Sequence, residues 1–206
     1  MKNRLSLPQT LFLVALTIWL PGCASSPDAR FYTLSTIGHQ EAQPSSNHRE
    51  NPVSVSIAPV EIPDYLDRPQ IVTRDGQNEL KLAEFERWGG ALRDNIAAVL
   101  AENLAQLLDS DRVYAYPPKR AEKADYQVSM RVLRLDCAPG DKVLLKAQWA
   151  VTSGQEKKEI ATHISTFTES MSDSRYDTLA AAVSKTLAQI SREIAQEITG
   201  AGKNSQ

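Results

Sequence analysis

Hydrophobic and polar positions alternate along several stretches in the first half of the chain, and this pattern predicts β-strands. Residues 53–57 alternate β-branched residues with serines, which is the two-residue period of a strand buried on one face. Residues 31–34 are expected to form a short strand, and residues 70–74 and 79–84 a hairpin around a polar turn. Prolines punctuate the stretch before this hairpin, so residues 61–68 are expected to be an extended or turning loop.

The second half of the chain predicts a run of strands joined by short turns. A short strand at residues 112–116 is followed by two prolines, and residues 126–132 and 143–151 then alternate apolar with polar side chains. The apolar positions change parity after Val132, which predicts a β-bulge near that residue. Residues 159–170 form a Thr-rich third strand, so the last three strands are expected to make an antiparallel meander.

Two stretches with apolar residues three and four positions apart predict amphipathic helices. The apolar stripe of the first consists of Leu92, Ile96, Val99, Leu100, Leu104, Leu107 and Leu108. The stripe of the second consists of Leu179, Val183, Leu187, Ile190, Ile194 and Ile198. Ser174 and Asp177 fit a capping box at the start of the second helix, and Gly200 is its expected stop. Together the elements predict an α+β fold, an antiparallel or mixed sheet with two long helices packed on one face.

The N-terminus has the features of an export signal. Lys2 and Arg4 supply positive charge, and residues 11–20 form an apolar run. A membrane-spanning helix needs about 20 apolar residues, so this run is too short and instead matches a cleavable signal peptide. Residues 20–23 read Leu-Pro-Gly-Cys and resemble a lipobox, with a leucine three positions before the cysteine and a small residue directly before it.

The lipobox predicts that Cys23 is acylated and that residues 1–22 are removed. The thiol receives a diacylglyceryl group, and the signal peptidase needs a small residue at the cut. One acyl chain binds membranes with an association constant of only about 10⁴ M⁻¹, whereas two or three chains hold a protein there. The alternative is an ordinary secretory signal with an incidental cysteine. Ala24 and Ser25 lack the aspartate that retains lipoproteins in the inner membrane, which favours the periplasmic face of a Gram-negative outer membrane.

The chain that follows the signal peptide is expected to have three parts. Residues 23–52 form a lipidated tether, a short strand and a flexible loop, because residues 38–52 carry almost no aliphatic side chains. Residues 53–200 form the α+β domain, and residues 201–206 form a tail. With 42% of its residues hydrophobic, the chain can build a core.

Charge and cysteine content narrow the function. The formal net charge is −2, and removal of Lys2 and Arg4 with the signal peptide makes the mature chain more negative. Without a polybasic run, the sequence indicates no nucleic-acid partner. Once Cys23 is acylated, Cys137 has no intrachain disulfide partner, so it is either a small packed residue or a reactive thiol.

The sequence predicts a non-enzyme without a cofactor or metal. His163 alternates with Ala161 and Ser165 on the third meander strand, and serines are plentiful in the chain, so a Ser-His-acid triad can be imagined. No nucleophile-elbow motif supports one, and a plain strand histidine is favoured. His39 and His48 lack the spacing of metal ligands. The sequence also has no Walker A motif, so any ATPase must be another chain.

Three segments carry a resemblance to a known family. Residues 31–34 read FYTL, residues 57–72 read IAPVEIPDYLDRPQIV, and residues 86–88 read ERW before the first helix. Together they resemble the PqiC (YmbA) family, also described as the auxiliary lipoprotein component of ABC-type transport systems. The resemblance implies a fold similar to the N-terminal domain of TolB. It also implies a non-enzymatic part of an MCE-protein machine that moves lipids between membranes, with a periplasm-spanning MCE protein and its inner-membrane component as partners.

The proline-rich stretch is the expected docking surface. Tyr65, Leu66 and Arg68, with Trp88 further along, are the candidate partner-binding residues, because aromatic and arginine side chains are common interface hot spots. Alternatively, Tyr65 and Leu66 cover the edge of the sheet. A second class of function is also open, an outer-membrane lipoprotein that regulates a periplasmic cell-envelope enzyme, as is assembly into a homo-oligomer.

Overall fold

The computed structural model describes residues 27–38, 52–115, 124–154 and 157–204. Its strands are β1 Arg30–Tyr32, β2 Val55–Ile57, β3 Gln70–Asp75, β4 Glu79–Trp88, β5 Val113–Ala115, β6 Tyr126–Ala138, β7 Lys142–Ser153 and β8 Glu159–Ser170. Its helices are α1 Leu92–Leu108 and α2 Tyr176–Asn204. The predicted signal peptide, the predicted acylation site Cys23 and residues 39–51 of the predicted loop lie outside the described residues.

The larger sheet has five strands and contains the predicted meander. Its strand order is β5-β2-β6-β7-β8, with β2 parallel to both neighbours and β6, β7 and β8 running antiparallel in succession. The pairing of β6 with β7 shifts between Val132 and Arg134, which confirms the predicted bulge and leaves Leu133 exposed. The apolar face predicted for β7 is buried throughout.

Strand β2 corrects one detail of the sequence interpretation. Its alternation predicted one buried and one exposed face, but Ser54 and Ser56 are buried together with Val55 and Ile57. Both faces of β2 are therefore covered, and β5 and β6 pair with its two edges. The carboxylate of Asp125 satisfies Ser54, accepting hydrogen bonds from its backbone N–H at 2.8 Å and its hydroxyl at 2.7 Å.

The sequence predicted one sheet, but the structure has two, and neither is closed. The smaller sheet has the order β1-β4-β3, with β1 parallel and β3 antiparallel to β4. Strand β4 continues to Trp88 instead of ending near residue 84, and β1 pairs with this extension. The extension carries the charged residue Glu86, which is buried. A charged residue interrupts the apolar alternation in the sequence, so the strand was predicted to end too early. Mixed sheets with two helices confirm the α+β class.

The two helices bury the predicted stripes. Helix α1 begins at Leu92 as predicted, and of its stripe only Leu107 is half-buried. Every residue of the α2 stripe is buried. The predicted stop at Gly200 is wrong, because α2 continues to Asn204, and glycine permits a helix end without enforcing one. Within the described residues, no helix is long and apolar enough to cross a membrane.

Backbone groups after β1 are bonded to side chains of the helices. The N–H of Leu34 donates to Asn95 Oδ1 at 2.7 Å, and the N–H of Ile37 donates to Asn103 Oδ1 at 2.8 Å. Asn103 is fully buried, and its Nδ2 donates to Ser191 Oγ at 3.1 Å. A buried amide with both of its ends bonded stabilises the position of the segment it holds. The chain that leads from the predicted tether is therefore fixed onto α1 and α2.

Cys137 is a small packed residue and not a reactive thiol, which decides between the two alternatives that the sequence left open. Its side chain lies in the hydrophobic core near the end of β6. Burial raises the pKa of its thiol to about 12, so the reactive thiolate is scarce at neutral pH.

Candidate functional site

Residues 59–69, hereafter the proline segment, connect the two sheets. The first part continues the parallel pairing of β2 along β6. The N–H of Glu61 donates to the carbonyl oxygen of Met130 at 3.1 Å, and the carbonyl of Glu61 accepts from the N–H of Val132 at 2.8 Å. These bonds make the start of the predicted loop part of the sheet.

The second part of the proline segment is a 3₁₀ turn at Asp64–Leu66. The N–H of Leu66 donates to the carbonyl of Pro63 at 2.9 Å, which closes the turn. The carbonyl of Pro69 accepts from the N–H of Trp88 at 2.7 Å, which ties the end of the segment to β4. Because proline fixes φ and the carbonyls are bonded at both ends, the segment has one defined shape.

The structure separates the four predicted partner-binding residues into two groups. Leu66 and Trp88 are 3% and 5% exposed and belong to the core, so the expected solvent-facing position of Leu66 is wrong. Tyr65 is half-buried and packs against that core. Arg68 is also half-buried, and its Nε is a buried donor with no acceptor in the part of the chain that the structure describes.

Two exposed ion pairs involve acidic residues of the proline segment. Arg131 of β6 bonds Glu61 with an Nε–Oε2 distance of 2.5 Å, and Arg93 of α1 pairs with Asp67. The hydrogen bond that Arg131 donates to Glu61 raises the pKa of Arg131, and the Coulombic attraction of the carboxylate acts in the same direction. Exposed pairs of this kind contribute little to stability, because solvent screens them. Their effect is to give this surface a fixed pattern of charge.

A groove of about 570 Å³ lies beside the proline segment on the polar face of the large sheet. Its lining combines Pro59, Glu61, Ser129, Arg131, Gln148 and Thr162 with the more apolar Met130, Trp149 and Ala150. The sequence interpretation missed this groove because the polar positions of alternating strands look like an ordinary solvated face. The signal was the proline segment itself, which has to run beside that face.

The histidine and serine considered for catalysis are bonded to other groups. The Trp149 indole Nε1–H donates to Ser165 Oγ at 3.0 Å, and the Ser165 hydroxyl donates to Glu193. His163 instead lies against the Trp149 ring, with centroids 4.9 Å apart, and its Nε2 is 3.5 Å from Glu197 Oε1. Ser165 and His163 therefore do not form the arrangement of a nucleophile and its base. Among the residues described, no three acidic, histidine or cysteine side chains are grouped to hold a metal ion.

The fold and this surface define a class, an α+β domain in which a hydrogen-bonded proline segment borders a groove on the large sheet. The chain belongs to the family of ABC-type transport auxiliary lipoprotein components, whose family model matches residues 32–195. This confirms the PqiC (YmbA)-type resemblance seen in the sequence. An auxiliary component of a transport system has partners in that system, and the family description suggests a non-enzymatic role.

Solved structures share the fold. A Xanthomonas campestris protein of the DUF330 family is 17% identical, with a TM-score of 0.67 over 86% of this chain and 100% of its own. An uncharacterised protein, also 17% identical, has a TM-score of 0.68 over 84% of this chain and 99% of its own. None of the curated proteins is significantly similar in sequence.

Proposed function

We propose that this protein is a lipid-anchored docking subunit of an MCE-type intermembrane lipid transport system. The family supplies the coarser function, that of an auxiliary lipoprotein in ABC-type transport. The finer function rests on the resemblance of residues 57–72 and on the shape of the surface they form. The partners are a periplasm-spanning MCE protein and, through it, an inner-membrane component.

The observation that carries this proposal is the unpaired donor of Arg68. A buried N–H without an acceptor costs free energy, and that cost is removed when the Arg68 side chain shifts outward to a carbonyl or carboxylate of a partner. The planar guanidinium also binds carboxylates through two bonds, which gives a contact geometric specificity. Arg68 is thus prepared for an acceptor that another chain supplies.

The rigidity of the proline segment supports the same role. Binding costs less entropy when a surface already has its bound shape, and both halves of this segment are hydrogen-bonded in place. The buried Leu66 and Trp88 act as the scaffold beneath it, so of the four candidates only Tyr65 and Arg68 remain in the proposed contact. Glu61 and Asp67, paired with Arg131 and Arg93, fix the charge pattern around that contact.

The proposed location is the outer membrane, on its periplasmic side. Acylation of Cys23 supplies the anchor, and Ala24 and Ser25 carry no retention signal for the inner membrane. A lipoprotein held there faces the far end of a partner that spans the periplasm, which is the geometry that docking requires.

We expect Arg68→Ala, alone or with Tyr65→Ala, to abolish capture of the MCE partner. Capture is measured by co-purification of the partner with the lipidated protein from detergent-solubilised membranes. Arg68→Ala is the cleaner variant, because truncation of the half-buried Tyr65 also removes some apolar burial, about 1 kcal/mol. The matched control is Glu169→Ala with Lys185→Ala, which removes an exposed ion pair outside the proline segment.

Thermal melting of the same variants separates docking from folding. Arg68→Ala should melt close to the native protein while failing to capture the partner. Normal capture by Arg68→Ala, or a loss of stability comparable to the 3–5 kcal/mol of a truncated core aromatic, would assign these residues to the scaffold.

A further inference from the structure

Exposed hydrophobic side chains are concentrated in the small sheet. Five large hydrophobic residues are exposed in the described parts of the chain, and Phe31, Leu80 and Leu82 of this sheet are three of them. Phe31 is the most exposed, at 65%. Single exposed apolar residues are common on protein surfaces, so the direction and position of Phe31 decide whether it has a role.

The register of β1 and β4 fixes that direction. Tyr32 pairs with Trp88, and Phe31 pairs with Arg87. Side chains alternate between the faces of a strand, so Phe31 and Arg87 point away from Tyr32 and Trp88. Tyr32 faces the interior, since its ring is 6.2 Å from that of Tyr176 on α2. Phe31 therefore points outward from the domain.

The backbone around Phe31 is held on both sides, so Phe31 has no route into the core. Arg30 Nε donates to Glu86 Oε1 at 3.0 Å, and the Tyr32 hydroxyl donates to Glu86 Oε2 at 2.7 Å. The hydrogen bond from Arg30 lowers the pKa of Glu86, which therefore stays ionised and bonded at neutral pH. The carbonyl of Tyr32 accepts from the N–H of Gly89 at 2.8 Å. The exposure of Phe31 is a fixed property of the sheet.

The length of chain before β1 indicates what covers Phe31. Phe31 is the eighth residue after Cys23, and an extended chain spans at most about 3.6 Å per residue, or about 29 Å over these eight steps. A domain of this size has a radius of gyration of about 16 Å, and a compact domain is more than twice as wide as its radius of gyration. The tether is therefore shorter than the domain is wide. An anchor on Cys23 thus keeps the small sheet close to the lipid surface.

The charges of the small sheet indicate how it would meet that surface. Its basic residues are Arg30, Arg74, Lys81 and Arg87, and its acidic residues are Asp75, Glu79, Glu84 and Glu86. The two sets balance, and several members are paired with each other. Attraction to anionic headgroups is therefore small, and contact would come from apolar side chains entering the interfacial region.

We propose that the small sheet is the membrane-facing part of the protein, with Phe31 inserted into the interfacial region of the leaflet that holds the anchor. This inference rests on the proposed anchoring through Cys23. It orients the domain with its tether side on the lipid, and it places the proline segment next to that side, because Arg87 pairs with both Phe31 and Gln70. Because the contact is apolar, it is insensitive to salt.

The test compares labels at two exposed positions. Phe31→Cys and Ile164→Cys, each in the full-length lipidated protein, are labelled with the environment-sensitive fluorophore NBD in vesicles of phosphatidylethanolamine and phosphatidylglycerol. Ile164 is the matched control, because it is 58% exposed and lies on β8 of the other sheet. Cys137 is buried and does not react.

We expect spin-labelled lipids to quench the label at position 31 several-fold more than the label at 164, and aqueous iodide to quench in the opposite order. Iodide quenching at both positions in protein that floats with the vesicles would overturn the membrane-facing sheet but keep the anchor. Protection of position 31 from iodide without lipid quenching would also overturn it, since a protein would then cover Phe31. Protein that carries no fatty acid and does not float would overturn both the proposed anchor at Cys23 and the membrane-facing sheet.

Discussion

Replacing Cys23 with alanine is expected to release the protein from the membrane completely. The lipobox predicts that Cys23 is the acyl acceptor, and Cys137, the other cysteine, is buried in the core. Acyl chains bind lipid with about 0.8 kcal/mol per buried CH₂, far more than a few exposed apolar side chains contribute. Without them the domain has no comparable hold on a bilayer. The expected result is a soluble periplasmic form that no longer incorporates a fatty acid.

Metabolic labelling with an alkyne fatty acid, followed by density-gradient fractionation, measures this effect. The native protein should be labelled and should band with outer membranes, whereas Cys23→Ala should be unlabelled and soluble. Cys137→Ala is the control and should remain labelled and membrane-bound. Undiminished labelling of Cys23→Ala would contradict the anchor, and native protein in the inner-membrane band would contradict the proposed sorting.

Replacing Gly154 with alanine is expected to produce the largest loss of stability of any small substitution considered. A Cβ at Gly154 would lie 1.8 Å from the carbonyl oxygen of Ala124, well inside van der Waals contact. That carbonyl belongs to the backbone, so no side-chain rotation relieves the clash. The N–H of Gly154 also donates to the carbonyl of Asp125 at 2.9 Å. The Asp125 carboxylate in turn accepts from the N–H of Ser54, the residue directly before β2.

The backbone shift that Gly154→Ala requires should cost about 3 kcal/mol, the upper part of the range for overpacked sites. For a domain of this size, that corresponds to a melting temperature lower by about 6–12 °C. Gly200→Ala is the matched control, because a Cβ added at Gly200 would have no atom within 4 Å to meet and the residue is helical. It should stabilise the protein by about 0.5–1 kcal/mol. Melting of Gly154→Ala within 2 °C of the native protein, a margin well below that expected shift, would contradict the packing described.

The parts of the fold with a strict period were predictable from the sequence. The meander, the bulge at Val132 and the two helical stripes each depend on neighbours in sequence, and the structure confirms them. The second sheet was not predictable, because the pairing of β1 with β4 joins residues far apart in the chain. Its signal was hidden by Glu86, which is buried only because Arg30 and Tyr32 bond it.

The candidate site was predictable in location but not in detail. The three prolines indicated a stiff segment, and the structure gives that segment one shape. Burial is a tertiary property, however, so residue type alone could not distinguish Leu66 and Trp88, which are core, from Arg68, which carries an unpaired donor. The groove beside Glu61 was missed for the same reason, since it needs the segment and the sheet together.

The central claim is that this protein docks onto a lipid transport machine, and identification of its partners tests that claim most directly. The measurement is crosslinking of the native lipidated protein in intact cells, followed by purification and mass spectrometry, with Arg68→Ala as the comparison. The account predicts that a periplasm-spanning MCE protein and its inner-membrane component co-purify with the native protein and are depleted with Arg68→Ala. Co-purification of a cell-envelope enzyme in their place, equally with both forms, would contradict it.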